Sequence, residues 1–315
     1  MILFSAKISH KHHEKLKEKH SNLEFIFCDN MDEAKQHLHK AKILVTYGGD
    51  LNEGLIGQAE NLKWIMVMSA GIEKMPFEAI EQKGILVTNA RGIHQTPMAE
   101  YAISMLLQVY REARVLYQSE KDHHWDRFAR MQEMRGRRML LMGAGSIGQE
   151  VARLAKAFQV ETIGVSRSGR SVEYFDENHK IDNLENLLPS VDIVVSILPS
   201  TEETRGLFTF KHFQLLPNHA VFLNMGRGDL VHSDDLLKAA RQGEVAHIVL
   251  DVFEEEPLPA DHPFWGEENV TITPHIAGLS PHYTRRALGI FEHNLQCYLT
   301  DKGEYVNKVD VTRGY

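Results

Sequence analysis

The stretch Leu140-Leu141-Met142-Gly143-Ala144-Gly145-Ser146-Ile147-Gly148 decides how the rest of the chain is read. Met139 to Met142 is a short apolar run of the kind that forms a buried parallel strand, and it breaks at once into G-x-G-x-x-G. From Gln149 to Phe158, the residues Val151, Leu154, Ala155 and Phe158 fall on one helical face. Gly143 permits the tight turn, Gly145 lets backbone approach a pyrophosphate, and Gly148 lets the helix pack closely on the strand. The helix N-terminus, with Ala144, Ser146 and Ile147 around it, offers free N–H groups and a positive dipole end to phosphates. Glycines at strand ends are often only turns, so the flanking strand and helix carry the dinucleotide reading.

On the C-terminal side the alternation continues. Candidate strands are Thr162–Val165, Ile193–Ile197, Val221–Asn224, Ile248–Val252 and Val270–Thr273, with helices between them at 183–188, 209–215 and 233–241. Together with 139–142 these make a six-strand doubly wound domain. On the N-terminal side, strands are expected within Met1–Ile8, at Phe25–Phe27, Ile43–Tyr47 and Trp64–Met68, again alternating with helices, which means a second, smaller parallel layer. Thr96 and Pro97 supply an N-cap and a first helical residue for a long helix carrying Met98, Tyr101, Ala102, Met105, Leu106 and Val109. Residues 111–138 have no strong period and read as helix ends and loop. Ser280-Pro281 repeats the cap-plus-proline signal before a last helix, with Leu288, Phe291, Leu295 and Tyr298 on one face. That helix lies outside the six-strand unit and is expected to pack back on the N-terminal one. The resulting division is 1–95, 96–278 and 279–315.

The chain has 315 residues, enough for two domains, with 43% hydrophobic and 25% charged residues as in an ordinary globular protein. A formal net charge of −8 excludes a generic binder of nucleic acid or anionic membrane. Cys28 and Cys297 form no metal or redox spacing, no apolar run approaches a membrane span, and the N-terminus has no signal-peptide core; a cytoplasmic protein is expected. The histidines His10, His12, His13 and His20 read as a solvated helix face, because no second ligand cluster accompanies them.

Chemistry concentrates at strand ends. In NAD proteins an acid roughly 20 residues after the glycine turn binds the ribose 2′-hydroxyl. Here that position reads Val165-Ser166-Arg167-Ser168-Gly169-Arg170, with no carboxylate and two guanidinium groups suited to a 2′-phosphate, so NADP is favoured over NAD. Three further strand ends read Asn224-Met225-Gly226-Arg227-Gly228, Asp251-Val252-Phe253-Glu254-Glu255-Glu256-Pro257 and Thr273-Pro274-His275. A cation, an acid and an imidazole at the edge of one sheet are what carbonyl reduction by hydride transfer needs. The imidazole donates the proton, a carboxylate sets its tautomer and favours its charged form, and an arginine binds the substrate carboxylate and polarises the carbonyl. The turn Ser69-Ala70-Gly71 can present backbone N–H groups to an anion.

Gly143/Gly145/Gly148, the Arg227 segment, Asp251 to Pro257 and Thr273-Pro274-His275 together resemble the D-2-hydroxyacid dehydrogenase family, over nearly the whole chain. Within it the chain is most similar to the glyoxylate/hydroxypyruvate reductase branch, chiefly through Ser166-Arg167. The resemblance implies a Rossmann dinucleotide-binding domain inserted in a smaller flavodoxin-like α/β substrate-binding domain, with a cleft between them. It implies that Arg227, Glu256 and His275 are catalytic and that Ala70 and Gly71 hold the substrate carboxylate. It further implies that Leu198, Pro199, Thr204, Met225, Gly226 and Asp251 meet the cofactor, Asp251 near the nicotinamide amide. Family members are usually homodimers joined through the nucleotide-binding domain. Tyr47 and Met68, at strand ends, would limit substrate size.

Two departures stand out. Glu73 replaces a shorter acid, and Gln159 occupies a position often held by glycine, where a left-handed backbone would cost about 1 kcal/mol. The expected function is reduction of small 2-oxo acids such as glyoxylate or hydroxypyruvate with NADPH. A phosphoglycerate or other D-2-hydroxyacid dehydrogenase is the alternative within the class. A non-catalytic dinucleotide sensor would have no need of Arg227, Glu256 and His275 together.

Overall fold

The computed structural model describes residues 1–72 and 74–312, so Glu73 lies outside the described residues. The chain forms two compact units, one from Met1–Ile93 with Ser280–Tyr315 and one from His94–Leu279.

In the first unit, β1 (Ile2–Phe4), β2 (Phe25–Phe27), β3 (Ile43–Thr46), β4 (Trp64–Val67) and β5 (Leu86–Asn89) form an all-parallel sheet in the order β2-β1-β3-β4-β5. This is the flavodoxin-like order. Helices α1 (His10–Lys19), α2 (Met31–Ala34), α3 (Glu53–Gln58) and α4 (Phe77–Gln82) connect the strands. Alternate residues of each strand feed opposite faces: Leu3, Leu44, Ile65 and Val87 pack with Ala34, Ile56 and Ile80, while Phe4, Val45, Trp64 and Met66 pack with Leu16 and the last helix. That helix, Tyr283–Thr300, brings in Leu288, Phe291 and Leu295, and Tyr298 stacks on Trp64 at 5.8 Å.

The second unit has seven parallel strands: β6 (Arg138–Met142), β7 (Glu161–Ser166), β8 (Glu177–Lys180), β9 (Ile193–Ser196), β10 (Val221–Asn224), β11 (His247–Leu250) and β12 (Val270–Ile272). Their order, β12-β11-β10-β9-β6-β7-β8, contains the Rossmann arrangement with the strand order reversing beside β6. The expected count of six is corrected by β8. Its residues, Glu-Asn-His-Lys, carry no apolar pattern because an edge strand in this position packs little and is held by its ladder to β7.

Helices α5 (Gln95–Tyr110) and α7 (Ser146–Ala157) cover one face through Ala99, Ala102, Leu106, Val151 and Ala155; between them in sequence lies α6 (Ala113–Lys121). The other face packs beneath α8 (Leu184–Leu187), α9 (Phe210–Leu215) and α10 (Ser233–Gln242), with Phe208, Phe213 and Phe222 at its centre.

Four local expectations need correction. Helix α5 starts at Gln95 after His94, so Thr96 is not its cap; Pro97 is tolerated two residues further in, at the third helical position, because first-turn N–H groups have no partner to lose. The last helix likewise starts at Tyr283, with the Ser280 hydroxyl accepting from the His282 N–H. Residues 113–121 form a helix rather than loop, and Phe158 is exposed, not core. No helix of the described residues is long and apolar enough to cross a membrane.

Gln159 has φ +57. It follows Phe158 at the end of α7, where Gln159 N donates to Lys156 O at 2.9 Å and Val160 N to Ala155 O at 3.2 Å. This paired pattern is a Schellman motif, which demands the left-handed backbone whatever residue stands there.

Candidate active site

The carboxyl edge of the seven-stranded sheet collects most of the residues singled out from sequence. At the end of β6, Gly143 has φ +115 and its N–H donates to Val165 O. A Cβ at Gly148 would lie 2.1 Å from Gly143 O, so this glycine is what lets α7 start against the strand. Gly145 caps α7, and a Cβ there would meet nothing within 4 Å. Open space over a glycine, next to the first-turn N–H groups of a twelve-residue helix, fits a pyrophosphate. At the end of β7, the Ser166 hydroxyl accepts from Gly169 N at 3.1 Å and the Ser168 hydroxyl from Arg170 N at 3.4 Å, which shapes the turn. Arg167 is exposed and makes no hydrogen bond or ion pair among the described residues. After β9, Leu198 and Pro199 follow in a loop where the Thr204 hydroxyl donates to Pro199 O at 2.6 Å.

The Arg227 loop is built by close approach. A Cβ at Gly226 would lie 2.6 Å from Leu198 O, and one at Gly228 1.9 Å from the Phe253 carbonyl carbon. The two glycines therefore let backbone from three strand ends meet around Arg227. Buried Asn224, at the end of β10, braces the loop: its amide donates to Arg227 O at 2.9 Å and its carbonyl oxygen accepts from Gly226 N. Met225 is buried beneath it. Sequence reasoning quoted Asn224 without giving it this part; a polar residue closing an apolar strand just before a glycine was the available signal.

His275 Nδ1 lies 2.8 Å from Glu256 Oε2. A carboxylate only accepts, so Nδ1 carries the hydrogen and Nε2 is the free nitrogen. Burial pushes the Glu256 carboxyl up, but the His275 ring, the Phe253 N–H and the charges of His275 and Arg227 outweigh it and hold the group below the usual carboxylate range. His275 itself has φ +53, the left-handed region, at a strain of about 1–2 kcal/mol. Asp251, wholly buried, secures this loop. His275 N donates to Asp251 O at 2.8 Å, and the Asp251 carboxylate accepts from Ile276 N, Ala277 N and the Thr273 hydroxyl.

In the other unit, Ala70 and Gly71 follow β4 in a turn braced by Ser69, whose hydroxyl donates to Gly71 O at 2.7 Å, and by Asn89, whose amide donates to Ala70 O. The N–H groups of Ala70 and Gly71 make no hydrogen bond among the described residues. Tyr47 is 41% exposed, whereas the Met68 side chain is wholly buried in the core with Met66 and Leu288. Core packing, not a ligand, accounts for Met68, and the sequence expectation for it is corrected.

The model of the D-isomer specific 2-hydroxyacid dehydrogenase NAD binding domain matches residues 103–277. Glyoxylate reductase of Aeropyrum pernix is 33% identical over 261 residues, 79% of this chain and 76% of that protein. A D-isomer specific 2-hydroxyacid dehydrogenase family protein from Aeromonas salmonicida has a solved structure similar to this one, with TM-score 0.85, 33% identity and 98% of both chains covered. The NADPH-dependent glyoxylate/hydroxypyruvate reductase of Sinorhizobium meliloti, solved with NADP and sulfate, aligns with TM-score 0.79 and 27% identity over 100% of this chain and 99% of that one. The glycine turn, the Arg227 loop and the His275–Glu256 pair thus occur in a chain that belongs to the D-isomer specific 2-hydroxyacid dehydrogenase family.

Proposed function

We propose that this enzyme reduces small 2-oxo acids to D-2-hydroxy acids with NADPH, glyoxylate and hydroxypyruvate being the first candidates. The observation that carries the reading is the 2.8 Å pair of His275 Nδ1 and Glu256 Oε2, on the same sheet edge as the glycine turn. A reduced nicotinamide, when bound, supplies hydride to a carbonyl carbon. His275 donates a proton from Nε2 to the oxygen on which charge develops, and Glu256 keeps that tautomer and stabilises the charged ring. Arg227 binds the substrate carboxylate and polarises the carbonyl.

Arg167, at the end of β7 where no carboxylate stands, makes no hydrogen bond or ion pair among the described residues and favours the 2′-phosphate of NADP. Screening 2-oxo acids of increasing size with both nicotinamides tests the substrate and cofactor together. Arg167→Ala is expected to weaken NADPH about tenfold or more while NADH is little affected; equal losses would remove the 2′-phosphate reading.

A second copy is the proposed partner. Trp125 and Phe128 are 89% and 92% exposed, and Leu154 and Phe158 with Ile103 and Leu107 line an apolar hollow on the same unit. Large exposed apolar groups of this kind mark association surfaces. Light scattering should give twice the chain mass, and a monomer at micromolar concentration would remove the dimer.

A further inference from the structure

The Tyr101 hydroxyl, on α5, lies 2.6 Å from the Thr273 hydroxyl, which lies 2.6 Å from Asp251 Oδ1. The direction of both bonds follows from chemistry. The Asp251 carboxylate only accepts, so Thr273 spends its single hydrogen there and must accept from Tyr101. Burial pushes the Tyr101 phenol far up, so it remains a donor across the working pH range. Asp251 is wholly buried, and among the described residues its carboxylate accepts from the Thr273 hydroxyl and from two backbone N–H groups, those of Ile276 and Ala277. A buried charge served only by neutral donors makes each donor costly to lose. The same carboxylate holds the two residues after His275, and His275 N is bonded to the Asp251 carbonyl.

Resting on the proposed role of His275, we infer that Tyr101 is a positioning residue: through Thr273 and Asp251 it holds the strained His275 backbone so that the ring stays on Glu256. The helix covering one face of the sheet is thereby tied to the loop that carries the acid. Without the phenol, the Thr273 hydroxyl loses the donor that aims it, Asp251 is less well served, and the left-handed residue gains room to relax.

Tyr101→Phe removes one oxygen and keeps the ring in place. Its kcat is expected to fall roughly threefold to tenfold, with NADPH affinity by fluorescence titration within about twofold of wild type. Thr273→Val removes the donor to the carboxylate itself and should lower kcat about 10–100-fold, while Thr273→Ser restores most of the loss. Because the two hydroxyls act in series, the double variant Tyr101→Phe/Thr273→Val should be no slower than Thr273→Val alone. Unchanged kcat in Tyr101→Phe, a parallel loss of NADPH affinity, or full additivity in the double variant would each overturn the inference. If Tyr101→Phe fails to fold, the contrast between Thr273→Val and Thr273→Ser still decides it: equal kcat in those two overturns the chain. Normal turnover in His275→Ala would instead overturn the role of His275 on which the inference rests. An inactive His275→Ala beside a fully active Tyr101→Phe would sink the positioning role alone.

Discussion

Two histidine–glutamate pairs stand almost side by side in this molecule, drawn from the same acidic run. His275 Nδ1 is 2.8 Å from Glu256 Oε2, and His232 Nδ1 is 2.9 Å from Glu254 Oε1. Their lengths do not separate them; their backbones and neighbours do. His232 sits at the N-cap of α10 with an ordinary extended backbone, φ −65 and ψ 138, and Glu254 also accepts from Ser233 N at 2.6 Å. That pair closes the start of a helix. His275 is left-handed, its loop is tied to a buried carboxylate, and the charge of Arg227 reaches its glutamate. Short contacts between histidine and acid are common; backbone strain maintained by a buried network is what sets the His275 pair apart.

The largest expected effect breaks the comparison most directly. His275→Ala should lower kcat about 10²–10⁴-fold, while His232→Ala stays within about twofold, both read from steady-state oxidation of NADPH. Comparable losses in both would erase the distinction.

The next effect concerns pH. Hydrogen bonding to Glu254 and its charge hold the His232 imidazolium above its ordinary 6.5. A raised folded value means that the stabilisation is complete below the ordinary value and disappears as pH rises through the raised one. Glu254, held low by Ser233 and His232 against the opposing effect of burial, stays ionised over this window. His232→Gln should therefore show a Tm deficit of about 1–3 °C at about pH 5.5 that closes by about pH 9. A deficit that persists at the higher pH would mean that His232 contributes something other than its charged pairing with Glu254.

The smallest effect uses a third residue as a reference for strain. Gln159 shares the left-handed backbone of His275 but lies at a helix end with no acid beside it in the hydrogen-bond pattern. Gln159→Gly should stabilise the protein by about 1 kcal/mol in urea unfolding with kcat unchanged. No gain would show that the left-handed position carries no strain to release.

Much of the fold was legible because it is written in local patterns. The strands Leu140–Met142 and Val194–Val195 are apolar on both faces, so they read as buried parallel strands, and the positive φ of Gln159 followed from its place after a helix. The helix starts were misjudged because a Ser/Thr-Pro pair is only a local preference. The starts of α5 and the last helix each lie two residues from the expected position. The edge strand Glu177–Lys180 was invisible, since its ladder to β7 leaves no trace in side-chain polarity.

The candidate site divides in the same way. Sequence alone determined the glycine turn, the missing acid after β7, and the presence of Arg227, Glu256 and His275 at strand ends, because spacing within one strand–loop unit is a local property. The family resemblance already pointed to Glu256 as the partner of His275, and the tertiary structure added that its neighbour Glu254 goes to His232 instead. Only the tertiary structure decided that Met68 belongs to the core and that Tyr101 reaches Thr273 across 172 residues of chain. Polar groups this far apart are matched by the way strands stack and helices cover them, and a buried donor takes whichever acceptor that packing brings within reach.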